Sequence, residues 1–360
     1  SSKKSNWSMC KTSKRYNISN KKSKTNSCIT IYTRIVTKSG DIYKICSHIL
    51  NYKDKKDFES CEVEILKTKI VIFISLIVSL FTLTGCAKTE VQKENYKIVT
   101  SFYPMYIIAR NITDGANNVQ LVNMTEQNTG CIHDYTLTTN DMKKIENADI
   151  FIQNGLGLEI FMDKIFTIYP NLKVLDASIN IKNVIKEDEV NPHVWTSIEN
   201  YINQVKEISQ VLIQQNSENK QIYEENTEKY IKDLEKVEKQ YEEISQELNG
   251  QKAICLNEAL EYLAKDIKLE YISLHTDHDE NSMSAESIKN IINKMNTENI
   301  KIILIGKDDS IKNAEILANE TNAKIYKLDT VLTGATDKSA YIDAANRNLE
   351  VLKSVLGDEK

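Results

Sequence analysis

From Tyr96 to Leu328 the chain repeats one pattern: a short β-prone run, then a stretch in which apolar residues recur at helical spacing. The runs are Tyr96–Phe102, Val119–Val122, Ile150–Gln153 and Lys173–Leu175, then Ala253–Leu256, Leu269–Leu274, Ile302–Ile305 and Lys324–Leu328. Met142, Ile145 and Ala148 show the helical spacing that follows such a run. Strand–helix alternation implies parallel sheets covered by helices. Four strands before and four after a long polar interruption predict an α/β fold of two lobes. Each lobe is expected to hold a four-stranded parallel sheet flanked by helices.

The interruption is Ser217 to Leu248, which contains no Gly or Pro. Its apolar residues Tyr223, Tyr230, Leu234, Val237, Tyr241, Ile244 and Leu248 are spaced 7, 4, 3, 4, 3 and 4 apart, one stripe on a helix. At 1.5 Å per residue such a helix runs on the order of 45 Å, longer than one lobe is wide. A coiled-coil dimer competes as an explanation, but so few polar-flanked heptads are marginal for that. A single rigid helix packed along both lobes fits the stripe better.

Upstream of residue 95 the pattern breaks. Leu66-Lys-Thr-Lys leads into an almost wholly apolar run from Ile70 to Leu80 and exits through Leu83-Thr-Gly-Cys86. That is the layout of a secretory signal peptide, and the run is short for a membrane span. The exit resembles the lipobox of bacterial lipoproteins, which makes Cys86 the expected lipidation site, acylated for instance with palmitate. An uncleaved anchor helix is the alternative. Residues 1–65 carry 14 Lys+Arg against 6 Asp+Glu and no sustained periodicity. They are read as upstream sequence mis-translated in frame, with initiation at or near Leu66, or as a disordered segment. A basic nucleic-acid-binding domain is the competing reading.

The expected organisation is therefore residues 1–65 as described, 66–85 a lipoprotein signal peptide and 86–94 a lipid-anchored tether. Residues 95–216 form the N-terminal lobe, 217–248 the linking helix and 249–360 the C-terminal lobe. Composition agrees with a folded body: 41% hydrophobic and 27% charged residues, with only 10 Gly and 3 Pro, exclude a disordered, collagen-like or multi-span membrane chain. The formal net charge of −5 conceals a cancellation, because residues 86–360 alone carry −15. That acidic body enriches cations and disfavours nucleic acid.

Ligands of parallel α/β sheets bind beyond the carboxyl ends of the strands. All four histidines beyond residue 86 fall after strands: His133, His193, His275 and His278. Asn257 and Glu258 follow the fifth strand and Asp329 the eighth. Imidazoles and carboxylates on the rims of two facing lobes suit a divalent transition metal.

These residues resemble a known family, the substrate-binding lipoproteins of zinc and manganese ABC importers. The resemblance covers about residues 95–355. Val99-Thr-Ser-Phe-Tyr-Pro104 is similar to its first strand and turn. Gly130-Cys-Ile-His-Asp-Tyr135 is similar to its first-ligand segment, together with Thr139-Asn-Asp-Met and Ile145-Glu-Asn-Ala-Asp149. Asn191-Pro-His-Val-Trp195 is the most specific match. The resemblance implies His133 and His193 as the first two ligands and Asp329 as the last. It also implies a long helix joining two lobes with the metal between them.

The third ligand departs from the pattern. The family's His-x-Ala-Phe stands here as Asn257-Glu-Ala-Leu260, and an Asn carbonyl is a weak ligand for zinc. Glu258 is one replacement, although adjacent side chains usually point apart; water is another. The favoured one is His278, from the acidic loop His275-Thr-Asp-His-Asp-Glu280, whose alternative role is a solvated helix entry capped by Ser284 with Glu286 in the first turn.

Other chemistry is missing from the sequence. Gly155-Leu-Gly157 lacks the third glycine of a dinucleotide fingerprint, and no Walker motif, Gly-x-Ser-x-Gly elbow or His-Glu-x-x-His occurs. Cys131 and Cys255 lie near the rim; buried thiols are expected, with a disulfide left open. The function implied is capture of Zn2+ or Mn2+ as a transported ligand, zinc ahead of manganese, and its delivery to an ABC permease with its ATPase subunit. No enzymatic step is expected. The location implied is extracytoplasmic, on the outer face of a bacterial cytoplasmic membrane, held by lipid on Cys86. Rival readings are a zinc hydrolase with an open coordination site, for which Glu258 is the obvious base, and a surface adhesin.

Overall fold

The computed structural model describes residues 95–358, except 126–132, 134, 187–188 and 275–283. The first lobe holds strands β1 (Tyr96–Thr100), β2 (Val119–Asn123), β3 (Ile150–Gln153) and β4 (Lys173–Asp176), and the second β5 (Lys252–Cys255), β6 (Glu270–Ser273), β7 (Ile302–Gly306) and β8 (Lys324–Leu328). All eight runs read from the sequence are strands, two with unchanged ends and six with ends moved by one or two residues. Every pairing is parallel, in the orders β2-β1-β3-β4 and β6-β5-β7-β8. The two sheets thus repeat one topology. In each, the order reverses between the first and third strands, at β1/β3 and β5/β7, and that reversal opens a crevice at the carboxyl ends.

The helices are α1 (Tyr103–Ile112), α2 (Thr139–Ile145), α3 (Asp163–Ile168), α4 (Ile198–Gln215), α5 (Lys220–Leu248), α6 (Glu261–Asp266), α7 (Ala285–Glu298), α8 (Lys312–Thr321) and α9 (Ala340–Asp358). Their ends follow local chemistry. Thr138 and Asp141 form a reciprocal capping box at the start of α2. Ser284 caps α7 by accepting from the Ser287 N–H, with Glu286 in the first turn, as the sequence suggested. Asn299 and Asn322 end α7 and α8 in the left-handed conformation that Asn tolerates.

The long helix begins at Lys220, after a 3-10 turn over Ser217–Asn219, and runs unbroken to Leu248. All seven residues of its stripe are buried. They join α1, α4, α9 and both sheets in one continuous apolar cluster, so this helix is the shared spine of both lobes. Tyr201 of α4 stacks on Tyr341 of α9 with ring centroids 3.5 Å apart and planes 3° apart. The Tyr341 hydroxyl donates to the Trp195 carbonyl, and the Tyr241 hydroxyl to that of Ala345. Two smaller clusters fill the far sides of the sheets, one around Val99, Phe151 and Met162, the other around Ile254, Met295 and Ile303.

Further bonds tie the lobes directly. Tyr103 donates to the Ala335 carbonyl, Asn111 to that of Lys338, and Trp195 Nε1 to that of Thr330. Among the described residues, no helix is long and apolar enough to cross a membrane. The expected signal peptide, the lipidation site Cys86 and the tether lie outside the described residues.

Candidate metal site

The carboxyl ends of both sheets gather three of the expected donors. One ligand atom each from His133, His193 and Glu258 lies within 4.8 Å of the other two. His133 Nδ1 is 3.9 Å from Glu258 Oε1 and the two imidazole centroids are 5.0 Å apart; His193 Nδ1, 3.7 Å from the same oxygen, is engaged by Asn191, which leaves Nε2 as the donor atom of that ring. Bonds of about 2.0–2.2 Å to a tetrahedral zinc place ligand atoms roughly 3.4 Å from one another, so small side-chain adjustments suffice. The donor set, two nitrogens and one carboxylate, fits zinc and also fits manganese.

His193 is the buried member. It sits just before the 3-10 turn Val194–Thr196, where its ring packs 5.1 Å from Trp195. Trp195 in turn meets Phe102 edge-on at 4.9 Å. Burial pushes the His193 imidazole down to about 3, and the neighbouring His133 adds to this, so the ring stays neutral. A neutral ring is the form that binds a cation. Its Nδ1 lies 2.9 Å from Asn191 Oδ1, an arrangement that fixes the tautomer with Nε2 carrying the lone pair.

Glu258 reaches the group because the chain turns after β5. Asn257 caps the 3-10 turn Glu258–Leu260: its Oδ1 accepts from the Ala259 N–H and its Nδ2 donates to Asp309 Oδ2. The same carboxylate oxygen accepts from the Gly306 N–H, at the end of the adjacent strand. The expected ligand oxygen of Asn257 is therefore committed to the backbone, and the residue lies outside the three-donor group. The alternation that sets neighbouring side chains apart holds along a strand; here β5 has already ended at Cys255.

Asp329 follows β8 directly, as expected, but is not part of the three-donor group. Its Oδ2 accepts from Lys307 Nζ and from Arg347, both at 2.9 Å, and its Oδ1 from the Val331 N–H. Burial alone would raise this carboxyl; the bonds from Lys307, Arg347 and Val331 hold it below the ordinary carboxylate range. His278 and His275 lie outside the described residues, as does Cys131. Cys255 is a free, fully buried thiol that burial pushes well up, with the Glu261 charge adding to this.

Sequence reasoning missed several residues around the group. Asn191 accepts from the His193 N–H and donates to the Glu258 carbonyl and to the buried Glu261 carboxylate. Tyr262 donates to the Asn191 carbonyl and accepts from the Ile185 N–H. An Asn two residues before a His in a proline turn was the available signal. The Gly155-Leu-Gly157 segment has a structural role. Gly155 adopts φ +88°, and a Cβ there would lie 2.1 Å from Asp176 Oδ1, so only glycine fits.

Comparison with known proteins agrees with this architecture. A family profile described as zinc-uptake complex component A, periplasmic (ZnuA) matches residues 98–355. The high-affinity zinc uptake system protein ZnuA of Bacillus subtilis is 28% identical over 284 residues, 72% of this chain and 87% of that protein. A metal ABC transporter substrate-binding lipoprotein of Lactococcus lactis is 24% identical over 308 residues, 80% and 97% of the two chains. A point mutant of the Mn-bound periplasmic metal binding protein from Candidatus Liberibacter asiaticus superposes with a TM-score of 0.63 at 27% identity, covering 73% of this chain and 100% of that one. The chain therefore belongs to the zinc-uptake component A family, the metal-binding substrate-binding proteins of ABC uptake systems, which are receptors and not enzymes.

Proposed function

We propose that this chain captures zinc, with manganese as the second candidate, through His133, His193 and Glu258, and delivers it to an ABC permease. The observation that carries this reading is the approach of three donors to within 4.8 Å, two from the first lobe and one from the second. A site shared between lobes couples metal binding to their relative position, and the long helix and direct interlobe bonds keep that motion small. Asp329 is the fourth donor in this reading, with water or His278 available for any further position. Asn257 serves as the cap that aims Glu258. The donor set of two imidazoles with carboxylate oxygens suits either ion, and the zinc-uptake relatives place zinc ahead of manganese.

The hydrolase alternative loses ground on the same geometry: Glu258, its obvious general base, lies among the metal donors. We further propose that Cys86 carries lipid and holds residues 86–360 at the outer face of the cytoplasmic membrane.

Two measurements test these readings. Elemental analysis of protein purified without chelator, followed by Zn2+/Mn2+ competition, is expected to give one ion per chain and a preference for zinc. Absence of a bound ion, or binding undiminished in both His133→Ala and Glu258→Ala, would sink the metal assignment. For the anchor, mass analysis of membrane-extracted protein is expected to show an acylated Cys86 as the first residue. An unmodified Cys86 inside a longer chain refutes it.

A further inference from the structure

Asp329, just beyond β8 at the carboxyl end of the second sheet, is a buried carboxylate already engaged by two side-chain cations. Its side chain is 3% exposed, and its Oδ2 receives both Lys307 Nζ and the Arg347 guanidinium at 2.9 Å. The main chain around it is fixed. Its N–H donates to Asn348 Oδ1, and Asn348 Nδ2 donates back to its carbonyl. Val331, a β-branched residue, is held at φ 56° while its N–H donates to Asp329 Oδ1. Rearrangement at this position is therefore left to side chains.

We propose that Lys307 and Arg347 set the metal affinity of the site by holding Asp329 as their counter-ion, so that capture of a divalent metal is an exchange of cations on Asp329. The inference rests on the reading that Asp329 completes the shell around His133, His193 and Glu258. Charge supports it. Those three donors bring one negative charge to a doubly positive ion, so the ion lacks one compensating charge. In that reading Asp329 supplies it, and the two side-chain cations already consume its charge. A metal and two organic cations around one buried carboxylate repel one another in a poorly screened setting.

The exchange has a built-in exit. The Lys307 side chain is 33% exposed and that of Arg347 60%, so both heads reach water without backbone movement. The exposed Asp308 carboxylate lies 3.9 Å from Lys307 Nζ and can receive the ammonium as it leaves Asp329. Release of metal to a permease then has a stored competitor: Lys307 returns to Asp329 as the ion departs.

The test is chelator competition with zinc on the full chain, comparing wild type, Lys307→Met, Lys307→Arg, Arg347→Gln, Asp329→Asn and the double variant Lys307→Met/Asp329→Asn. Lys307→Met and Arg347→Gln are each expected to tighten binding by about tenfold, and Lys307→Arg to stay within about threefold of wild type. The gain from Lys307→Met is expected to vanish when Asp329 is Asn. Unchanged or weaker binding in folded Lys307→Met and Arg347→Gln overturns the inference, as does a gain that persists in the double variant. Circular dichroism and thermal melts establish folding; should one of the two variants fail to fold, the other decides alone. His133→Ala and Glu258→Gln run alongside them. If these retain binding, the proposed site has failed; if they lose it while the Lys307 series stays flat, the exchange alone has failed.

Discussion

Asn191 Oδ1 accepts hydrogen bonds from both the backbone N–H and the ring Nδ1 of His193, each at 2.9 Å. The amide nitrogen of the same side chain donates to the Glu258 carbonyl and to Glu261. One uncharged side chain thus orients a donor of the first lobe and grips the segment carrying a donor of the second. Asn191→Ala is expected to weaken zinc binding about 10–100-fold, the range for loss of an outer partner of a ligating histidine. It also leaves buried acceptors unpaired, at a stability loss of about 1–3 kcal/mol. Competition titration and thermal melts read the two effects separately. Affinity equal to wild type in a folded Asn191→Ala protein refutes the orienting role.

Glu258 and Asn257 separate by the size of their effects. Removing the carboxylate in Glu258→Gln deletes an anionic donor and is expected to weaken zinc binding by on the order of a hundredfold or more. Asn257→Ala removes a cap and the partner of Asp309, with about 1 kcal/mol lost in stability and about a tenfold loss of affinity through misplacement of Glu258. The intensity of the visible bands of the cobalt-substituted protein, which reports coordination number, provides an independent reading. The reverse ranking, with Asn257→Ala the more damaging, returns the ligand role to position 257.

The strands were legible because a strand of a doubly covered parallel sheet is buried on both faces and reads as a continuous apolar run. The spine helix was legible because its one buried stripe lies among charged residues. Type and position marked His133 and His193 together with His275 and His278, and only the family resemblance singled out the first two as candidate donors. The identity of the third donor was not legible. It depends on a 3-10 turn that begins at residue 258, and on whether the Asn257 amide faces the cap or the site. Nor could the sequence reveal that Arg347, 18 residues beyond Asp329 on α9, folds back onto its carboxylate. Such pairings are set by how α9 packs on the spine, which local pattern does not encode.

That packing gives the spine its own prediction. Leu234 is fully buried midway along α5. Leu234→Ala opens a cavity in the cluster that both lobes share and is expected to lower stability by about 2–5 kcal/mol. Because the cluster is continuous across the lobes, chemical denaturation of the metal-free protein is expected to remain one cooperative transition. A variant that unfolds in two steps, one lobe before the other, contradicts the shared core.

Glu159 offers a pH test at a carboxyl that is not one of the metal donors. Its fully buried carboxyl accepts from the Ser101 hydroxyl and from the Asn154 and Gly155 N–H groups, which tie the ends of β1 and β3 together. Burial raises it from 4.5 to about 7, against the lowering effect of those bonds. The folded protein therefore holds this proton more tightly than the unfolded chain does. Its contribution is complete below about pH 4.5 and is lost as pH rises through about 7. The shift corresponds to about 3 kcal/mol as an upper figure. Glu159→Gln removes the titration, so wild type is expected to lose stability relative to this variant between pH 4.5 and 7.5, with little further change above pH 8. Urea denaturation of both proteins with chelator present, at several pH values across this window, measures the difference free of metal linkage. A difference that stays constant with pH, or grows in favour of wild type, shows that burial does not raise the Glu159 carboxyl above its unfolded value.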